Sequence, residues 1–345
     1  MKKYLFPVLL IMALFLTGCS KLSDKEIRNN FLKEVKGIKS YYMEGELVLN
    51  NNDDNYVYTV KVSKGKNDDI KVVLHNKAND YEQTILKNSS GVYVITPSLN
   101  KTFKFQSEWP YNNSQAYLLE RVAYDLEKDK GYTFEQKDKD YIFITKADYP
   151  NNLEYVKQRI TLNNKYNLKK VEVLDKNDIP HITFTVSKID KKATFDSNTF
   201  SLEKLAENFE GSQEETDKKE KDAKTEIETS VINETIFPLY LPNNTTLSNK
   251  EVIKTDTGER VIMTFKGDTP FIFVQETVKR ENDLTVIPTY GEPYLLIDTV
   301  GSLTDMSYTW TSNGIEYYIV SDVMTKETLL EVAKSINVVA AMNEK

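Results

Sequence analysis

The chain has little of what an enzyme active site needs, with one cysteine and two histidines in 345 residues. A single thiol cannot form a disulfide within the chain, and few side chains can exchange protons near neutral pH. His75 alternates with lysines in a strand-like stretch, His181 follows a proline at a turn, and neither has a glycine-framed serine nearby in sequence. We therefore expect a noncatalytic protein with no bound metal and no cofactor.

Long apolar runs and excess positive charge are also missing. Beyond residue 19 no stretch approaches about eighteen consecutive apolar residues, so the sequence predicts no membrane-spanning helix there. The formal net charge of −7 disfavours nucleic acid and anionic lipid head groups as partners. Glycine-rich phosphate loops and the spacing of a calcium loop are absent as well.

The N-terminus has the layout of a secretory signal. Two lysines precede an uncharged apolar run over residues 4–16, which is too short to span a bilayer comfortably. The tetrapeptide LTGC at 16–19 resembles a bacterial lipobox, in which the cysteine is acylated and becomes the first residue of the mature protein. We interpret residues 1–19 as a lipoprotein signal peptide with Cys19 as the lipidation site, and expect a chain anchored at the extracytoplasmic face of the cell membrane. A buried thiol beside a plain secretory signal is the alternative.

The residue periodicity over 20–206 predicts an α+β fold. Ser23 and Glu26 match a capping box, and apolar residues then recur at helical spacing, which predicts a helix from 24 to 37. Stretches with a period of two come next, separated by turns rich in Asn, Asp and Gly, and residues 114–128 interrupt them with a second helical pattern. We expect about eleven strands in one curled antiparallel sheet, a half-barrel covered by the two helices.

Residues 207–234 separate this region from the rest of the chain. Charged residues dominate up to residue 230, without periodicity or hydrophobic clusters. Such a segment cannot bury enough apolar surface to offset its ordering entropy, so we interpret it as a flexible linker between two mechanically independent domains. A single helix with Glu–Lys pairs is the competing interpretation.

Residues 235–345 return to strand-like patterns and end in an amphipathic helical pattern. Thr325 precedes that last stretch as an N-cap residue. These features predict a second, smaller α+β domain at the C-terminal end.

The order of the elements carries a family resemblance. The lipobox, the first helix, the meander with its inserted helix, and the closing stretch ATFDSNTFSL at 193–202 resemble the LolA/MucB-type lipoprotein-carrier superfamily. The likeness is to its lipid-anchored Gram-positive branch of sporulation lipoproteins, the YdcC/GerS-like branch. The stretches at 240–253 and 313–336 resemble a small domain of unknown function that recurs in sporulation lipoproteins.

The resemblance implies a binding function rather than a chemical one. A membrane-anchored platform for a protein of the cell or spore envelope is the role we expect, and a cell-wall amidase is one partner that the resemblance implies. A carrier that binds the acyl chains of a lipid or lipoprotein in an apolar cavity is one alternative. A MucB-like envelope sensor or regulator is another.

An apolar cavity of this kind would be lined from one face of the strands and from the inserted helix. Ordinary core packing is the other interpretation of every such residue, because sequence does not measure how completely the helices fill the sheet. The candidate cavity residues are Leu47, Val60, Val72, Ile85, Val94, Phe103, Leu118, Val122, Phe143 and Ile160.

Overall fold

A computed structural model describes most of the chain from residue 22 onward. Cys19, the signal segment and nearly all of the predicted linker lie outside the described residues. Within them, no helix is long and apolar enough to cross a membrane. The described ranges are 22–51, 54–111, 115–196, 198–207, 232, 235–256, 258–279, 285–296, 299–312 and 314–343.

The first helix forms where the capping pattern predicts it. Helix α1 spans Asp24–Gly37. The Ser23 side-chain oxygen accepts a hydrogen bond from the Glu26 amide, and the Glu26 carboxylate accepts one from the Ser23 amide. These bonds satisfy amide groups that a helix start leaves without helical partners. The prediction of this helix is confirmed.

An open sheet of twelve strands forms the larger layer. Strands β1 to β6 run as an antiparallel meander, and β11 pairs with the other side of β1 and leads outward through β10, β9 and β8 to β7. The expected curled antiparallel sheet is confirmed. Eleven of its strands come from the first part of the chain: β1 Tyr41–Asn51, β2 Asp54–Lys64, β3 Ile70–Asn76, β4 Glu82–Asn88, β5 Gly91–Thr96, β6 Lys101–Phe105, β7 Thr133–Lys137, β8 Asp140–Lys146, β9 Lys157–Leu162, β10 Leu168–Leu174 and β11 Pro180–Asp190.

A second helix packs with α1 against one face of this sheet. Helix α2 spans Leu119–Lys128 and contacts α1 and β8. It begins later than the predicted residue 114. Leu118 occupies the N-cap position and forms no side-chain capping bond, so no capping residue in the sequence marks the true start. The buried side chains of both helices join the inward-facing strand residues in one hydrophobic core.

The opposite face of the sheet is partly covered by the chain that comes after β11. This return segment lies over β4 and β5, so those two strands bury side chains on both faces. The residues in this smaller cluster are Leu86, Tyr93, Ile95, Phe200, Leu202 and Leu205.

The C-terminal part forms a second sheet of seven strands, ordered β12-β13-β14-β19-β18-β17-β16. Helix α3, Lys326–Asn343, packs against β18 and β19. The Thr328 amide donates to Thr325 Oγ1 at 3.2 Å, which confirms the predicted cap. The strands are β12 Thr245–Thr255, β13 Gly258–Gly267, β14 Phe271–Thr277, β16 Glu292–Leu295, β17 Val300–Leu303, β18 Ser307–Ser312 and β19 Ile315–Val320.

One strand of the C-terminal part leaves its own sheet. Strand β15, Thr285–Thr289, pairs in parallel with β6 and becomes the twelfth strand of the larger sheet. The expectation of two mechanically independent domains is therefore wrong, because the second part completes the sheet of the first. The predicted boundaries around the linker fall largely on residues outside the described ranges and stay predictions.

Candidate binding sites at the junction of the two sheets

The residues predicted to line an apolar cavity beneath α2 are nearly all buried in one hydrophobic core. Nine of the ten candidate residues are at most 2% exposed, and Phe103 is half-buried against the same core. The ring of Phe143 and the helix residues Leu118 and Val122 occupy the space between helix and strands. Space remains instead at the junction with the C-terminal part. Leu47 and Ile85 reach one cleft there, and Val94 and Phe103 reach another.

The first cleft, which we name the tyrosine cleft, lies between the larger sheet and the C-terminal part. Its volume is about 250 Å³. Leu47, Ile85 and Trp109 form its apolar wall on the side of the larger sheet, while residues 293–296 and α3 close it from the other side. Its remaining polar or aromatic lining residues are Asn50, Gln115, Tyr117, Tyr149, Glu154, Tyr155, His181, Tyr294, Glu331 and Lys334.

Two buried polar atoms in this cleft have no hydrogen-bond partner among the described residues: Tyr149 Oη and His181 Nε2. The ring of Tyr155 lies between them, 5.6 Å from the Tyr149 ring and 5.4 Å from the His181 ring. The carboxylate nearest the imidazole in the described part of the chain is that of Asp175, whose Oδ2 is 3.8 Å from Nε2, too far for a hydrogen bond. Buried polar groups are nearly always satisfied in native proteins, so each such exception needs an explanation, such as an ordered water or a bound partner.

In the tyrosine cleft, burial and one ion pair set the ionisation states of Tyr149, Tyr294 and Lys334. Burial raises the pKa of Tyr149 and of Tyr294, so both hydroxyls stay protonated and can each donate one hydrogen bond. Lys334 Nζ lies 2.8 Å from Glu331 Oε1. Burial alone would lower the pKa of Lys334, but the neighbouring Tyr155 and Glu331 outweigh it and raise that pKa. The cleft therefore offers neutral donors and acceptors beside a paired charge.

The second cleft, which we name the Glu316 cleft, has a volume of about 350 Å³. Phe103 and Phe105 of β6 form one wall, Ile287 of β15 forms another, and Glu316 of the smaller sheet faces them, with Trp310 also in the lining. Neither sheet could form this cleft alone. Its other lining residues are Gln83, Val94, Thr96, Pro288, Thr289, Tyr290, Val300, Gly301, Ser302, Thr304, Ser307, Thr309 and Thr311.

Gln83 of β4 joins the larger sheet to the C-terminal part through buried hydrogen bonds. Its Oε1 accepts hydrogen bonds from the Val300 amide at 2.6 Å and from Thr299 Oγ1 at 3.1 Å. Its Nε2 donates to Thr96 Oγ1 at 3.1 Å and to the Val300 carbonyl at 3.3 Å. Gln83 is 4% exposed, so these bonds form away from water, where a lost partner is costly.

The two histidines lie on separate strands of the larger sheet, β3 and β11. His75 Nε2 is 2.6 Å from Asp80 Oδ1 on the protein surface, and His181 is the second residue of β11 rather than part of a turn. Within the described ranges, no group of three His, Cys, Asp or Glu residues is placed to hold a metal ion. The prediction that the protein is not an enzyme stays a prediction.

The residues that distinguish the tyrosine cleft could not be identified from the sequence. Tyr149, Tyr155 and Tyr294 come from loops or strand ends in two parts of the chain, and tyrosine in such positions is usually ordinary packing. The one available signal was the count of 21 tyrosines, which does not say which of them meet.

Comparison with known proteins finds a relative that matches nearly the whole chain. No family model matches it. The chain is 33% identical over 328 residues to the sporulation protein YdcC of Bacillus subtilis (strain 168), and the match covers 95% of this chain and 94% of that protein. This relative confirms the expected resemblance to the YdcC-like branch.

Two solved structures are similar in outline. The MucA/MucB complex of Pseudomonas aeruginosa is 10% identical, covers 90% of this chain and 96% of its own, and has a TM-score of 0.31. A LolA-superfamily protein of Nitrosomonas europaea is 12% identical, covers 53% and 99%, and has a TM-score of 0.30. At these sequence identities and TM-scores, the two structures give no basis for assigning a function to this chain. The extent and identity of the match to YdcC show that the chain belongs to the family of that sporulation protein.

Proposed function

We propose that the chain is a noncatalytic binding protein of the cell envelope that acts in sporulation, and that it holds an extended segment of a protein partner in the tyrosine cleft. The observation that carries the proposal is the pair of buried, unpartnered polar atoms, Tyr149 Oη and His181 Nε2. Membership of the YdcC family supports the sporulation context.

A polypeptide segment fits the chemistry of the tyrosine cleft. Its backbone offers both amide donors and carbonyl acceptors, which can satisfy a tyrosine hydroxyl and an imidazole nitrogen together. An apolar side chain of the partner can pack against Leu47, Ile85 and Trp109. Tyrosine and tryptophan are enriched among the residues that contribute most to protein–protein affinity.

The carrier alternative has less support. The side chains beneath α2, where acyl chains would lie, are buried in the hydrophobic core. A MucB-like sensor would also hold a partner segment, and a cell-wall amidase is the partner class that the sequence resemblance implies. The identity of the captured protein distinguishes these two.

The proposal includes a lipid anchor at Cys19, a residue outside the described ranges. We expect mass spectrometry of the mature protein to find an N-terminal, acylated Cys19, and a Cys19→Ala variant to leave the membrane fraction. An unmodified cysteine, or a Cys19→Ala variant that stays fully membrane-bound, contradicts the anchor. Two acyl chains give stable attachment where one does not, and attachment raises the effective concentration of partners on the same surface.

Site-specific photo-crosslinking tests the partner site. A benzophenone amino acid in place of Tyr155, inside the cleft, should form an adduct with an envelope protein in sporulating cells. The same substitution at Tyr124, which is 46% exposed on α2, is the control and should not form that adduct. Adducts with lipid alone, or the same adducts from both positions, would overturn the proposal.

A conservative variant separates a binding role from a structural one. Tyr149→Phe removes a buried hydroxyl that has no partner among the described residues, so we expect unchanged or slightly increased stability. We expect the crosslink from position 155 to weaken in the same variant. A clear loss of stability would show that the hydroxyl has a structural role instead. Measurable hydrolysis of peptidoglycan or ester substrates by the pure protein would contradict the noncatalytic part of the proposal.

A further inference from the structure

The tyrosine cleft has a surplus of negative charge. Among the described residues that line it, Lys334 is the only lysine or arginine, and it is paired with Glu331. Glu154 is a second carboxylate in the lining. Asp175 adds a third, since its Oδ2 lies 3.8 Å from His181 Nε2. The single lysine is thus outnumbered by carboxylates, and one of them already holds it.

Carboxylates outside the lining act on the same tyrosines. Burial raises the pKa of Tyr149, and the Asp125 carboxylate raises it further. Burial also raises the pKa of Tyr294, and the Glu331 and Glu292 carboxylates add to that upward shift. Such effects on a neutral hydroxyl come from nearby negative charge. A cleft surrounded by charge of one sign attracts groups of the opposite sign.

The aromatic rings of the cleft also attract cations. The rings of Tyr149 and Tyr155 are 5.6 Å apart and nearly perpendicular, at 88°, and Tyr294 belongs to the same lining. Aromatic faces attract ammonium and guanidinium groups through the charge distribution of the ring, and aromatic cages bind alkylated ammonium groups in this way. The rings and the carboxylates therefore favour the same kind of group.

The two unpartnered polar atoms suit a cation as well. A lysine ammonium carries three N–H donors and an arginine guanidinium five, and neither accepts a hydrogen bond. The Tyr149 oxygen can accept one such bond, and so can His181 Nε2 when the imidazole carries its proton on Nδ1. A carboxylate of the partner would instead be repelled by the surrounding negative charge.

We propose that the partner segment in the tyrosine cleft inserts a lysine or arginine side chain between Tyr149, Tyr155 and Tyr294, where its cationic group donates to Tyr149 Oη and His181 Nε2. This inference rests on the proposed function, because it names the residue type that the captured segment presents. An apolar neighbour of that residue packs against the apolar wall of the larger sheet. No covalent step is involved.

Peptide binding to the pure protein tests this preference. The probes are three heptapeptides of serine and threonine with one leucine beside the central residue, each labelled with an uncharged fluorophore. They differ only at the central position, which is lysine, norleucine or glutamate. Norleucine keeps an apolar stem like that of lysine and removes the charge. Fluorescence polarisation gives the dissociation constant of each peptide.

We expect the lysine peptide to bind about tenfold more tightly than the norleucine peptide, and the glutamate peptide to bind least tightly. The preference for lysine should shrink as salt is added, because salt screens exposed carboxylates such as Glu154. Glu154→Gln should weaken the lysine peptide alone, by about threefold. Glu135→Gln, at an exposed position on β7, is the matched control and should weaken none of the peptides.

The comparison of the three peptides uses the unchanged chain, so it does not depend on the folding of any variant. Equal binding of the lysine and norleucine peptides would overturn this inference but not the proposed function. Failure of all three peptides to bind would also overturn this inference, and crosslinking from position 155 would then decide the proposed function separately. A lysine preference that Glu154→Gln and Glu135→Gln reduce equally would show that the charge near the cleft is not its cause, and would contradict the inference.

Discussion

At the scale of single residues, Asp68 concentrates several interactions on one turn. Its carboxylate lies 2.8 Å from Lys64 Nζ and 2.7 Å from Lys87 Nζ, and it accepts a short hydrogen bond from the Tyr111 hydroxyl. Burial alone would raise the pKa of Asp68, but these three hydrogen bonds outweigh it and lower the pKa to about 2. The residue thus connects the turn before β3 with β4 and with the segment after β6.

We expect Asp68→Asn to lower the free energy of unfolding near neutral pH by about 1 kcal/mol or less, because the side chain is 45% exposed and solvent screens its ion pairs. A depressed folded-state pKa stabilises the protein above the unfolded pKa, and that contribution is lost as the pH falls to the folded pKa. The difference between the two proteins should therefore shrink between about pH 4 and pH 2. Urea unfolding across that range measures it.

A matched control for Asp68 exists on another turn. Asp138 has a similar positive φ, 54° against 65° for Asp68, and lies exposed between β7 and β8. Asparagine tolerates this conformation as well as aspartate does. Asp138→Asn should leave stability and its pH dependence unchanged. A constant difference between Asp68→Asn and the unchanged chain down to about pH 2 would show that the ion pairs are not its cause.

Gly45 is a residue whose identity matters because the packing leaves no room for a side chain. It lies where the pairing of β1 with β11 shifts register. A Cβ there would be 2.5 Å from the Thr185 carbonyl oxygen and 2.6 Å from the ring of Phe184, which is fully buried. We expect Gly45→Ala to lower the free energy of unfolding by about 1–3 kcal/mol, as measured by chemical denaturation. Gly37→Ala, where a Cβ meets nothing within 4 Å, should be neutral or slightly stabilising.

At the scale of elements, local signals identified most of the fold. The reciprocal bonds of Ser23 and Glu26 explain why α1 begins where the sequence predicts. The alternating burial of β3 explains why a period of two identified the strands. Both signals are local, because each depends on residues a few positions apart.

Elements that depend on distant contacts were missed. Strand β15 contains Pro288, which argues against a central strand, and it forms only because the edge of β6 accepts it. The candidate residues of the cavity are buried or half-buried in one core, and four of them reach the clefts at the junction of the two sheets. Whether an inward-facing residue lines a void depends on the fit of the whole core, and this cannot be read from its spacing.

One arginine of α1 binds the C-terminal end of α2. Arg28 Nε and Nη2 donate to the Leu126 carbonyl at 3.1 and 3.0 Å, and Nη2 donates to the Glu127 carbonyl at 2.8 Å. These carbonyls belong to the last turn of α2 and have no partners within that helix. Arg28 therefore acts as the C-terminal cap of a neighbouring helix.

We expect Arg28→Met to lower the free energy of unfolding by about 1 kcal/mol, since it leaves the partly buried Leu126 carbonyl without a donor while keeping an apolar side chain of similar reach. The Glu127 carbonyl keeps a hydrogen bond from Lys130 Nζ at 2.9 Å. Lys25→Met on the exposed side of α1 is the control and should change stability little. Thermal unfolding followed by circular dichroism compares them. Equal effects of the two variants would mean that loss of charge, not loss of the cap, is responsible.

At the scale of the whole molecule, the two sheets form one structural unit through three kinds of contact. Strand β15 extends the larger sheet, Gln83 bonds to Val300, and the side chains of Leu295 and Val300 belong to the core of the larger sheet. Asn151 also donates to Glu292 across the junction at 2.6 Å. Both clefts lie at this junction, so any ligand or partner bound in them contacts both parts of the chain.

These contacts predict that the two parts stay together after the chain is cut between the two sheets. The lysines in residues 208–231 make that segment the expected first site for trypsin. After the cut, we expect the two fragments to elute together in size-exclusion chromatography, because separating them would expose the edge of β6 and the buried bonds of Gln83. The same sample in denaturing urea should separate.

Gln83→Leu should make the cut fragments separate more readily, whereas Gln136→Leu, at an exposed position on β7, should not. Two separate peaks from the unchanged chain without urea would show that the two parts are held together only by the intervening chain.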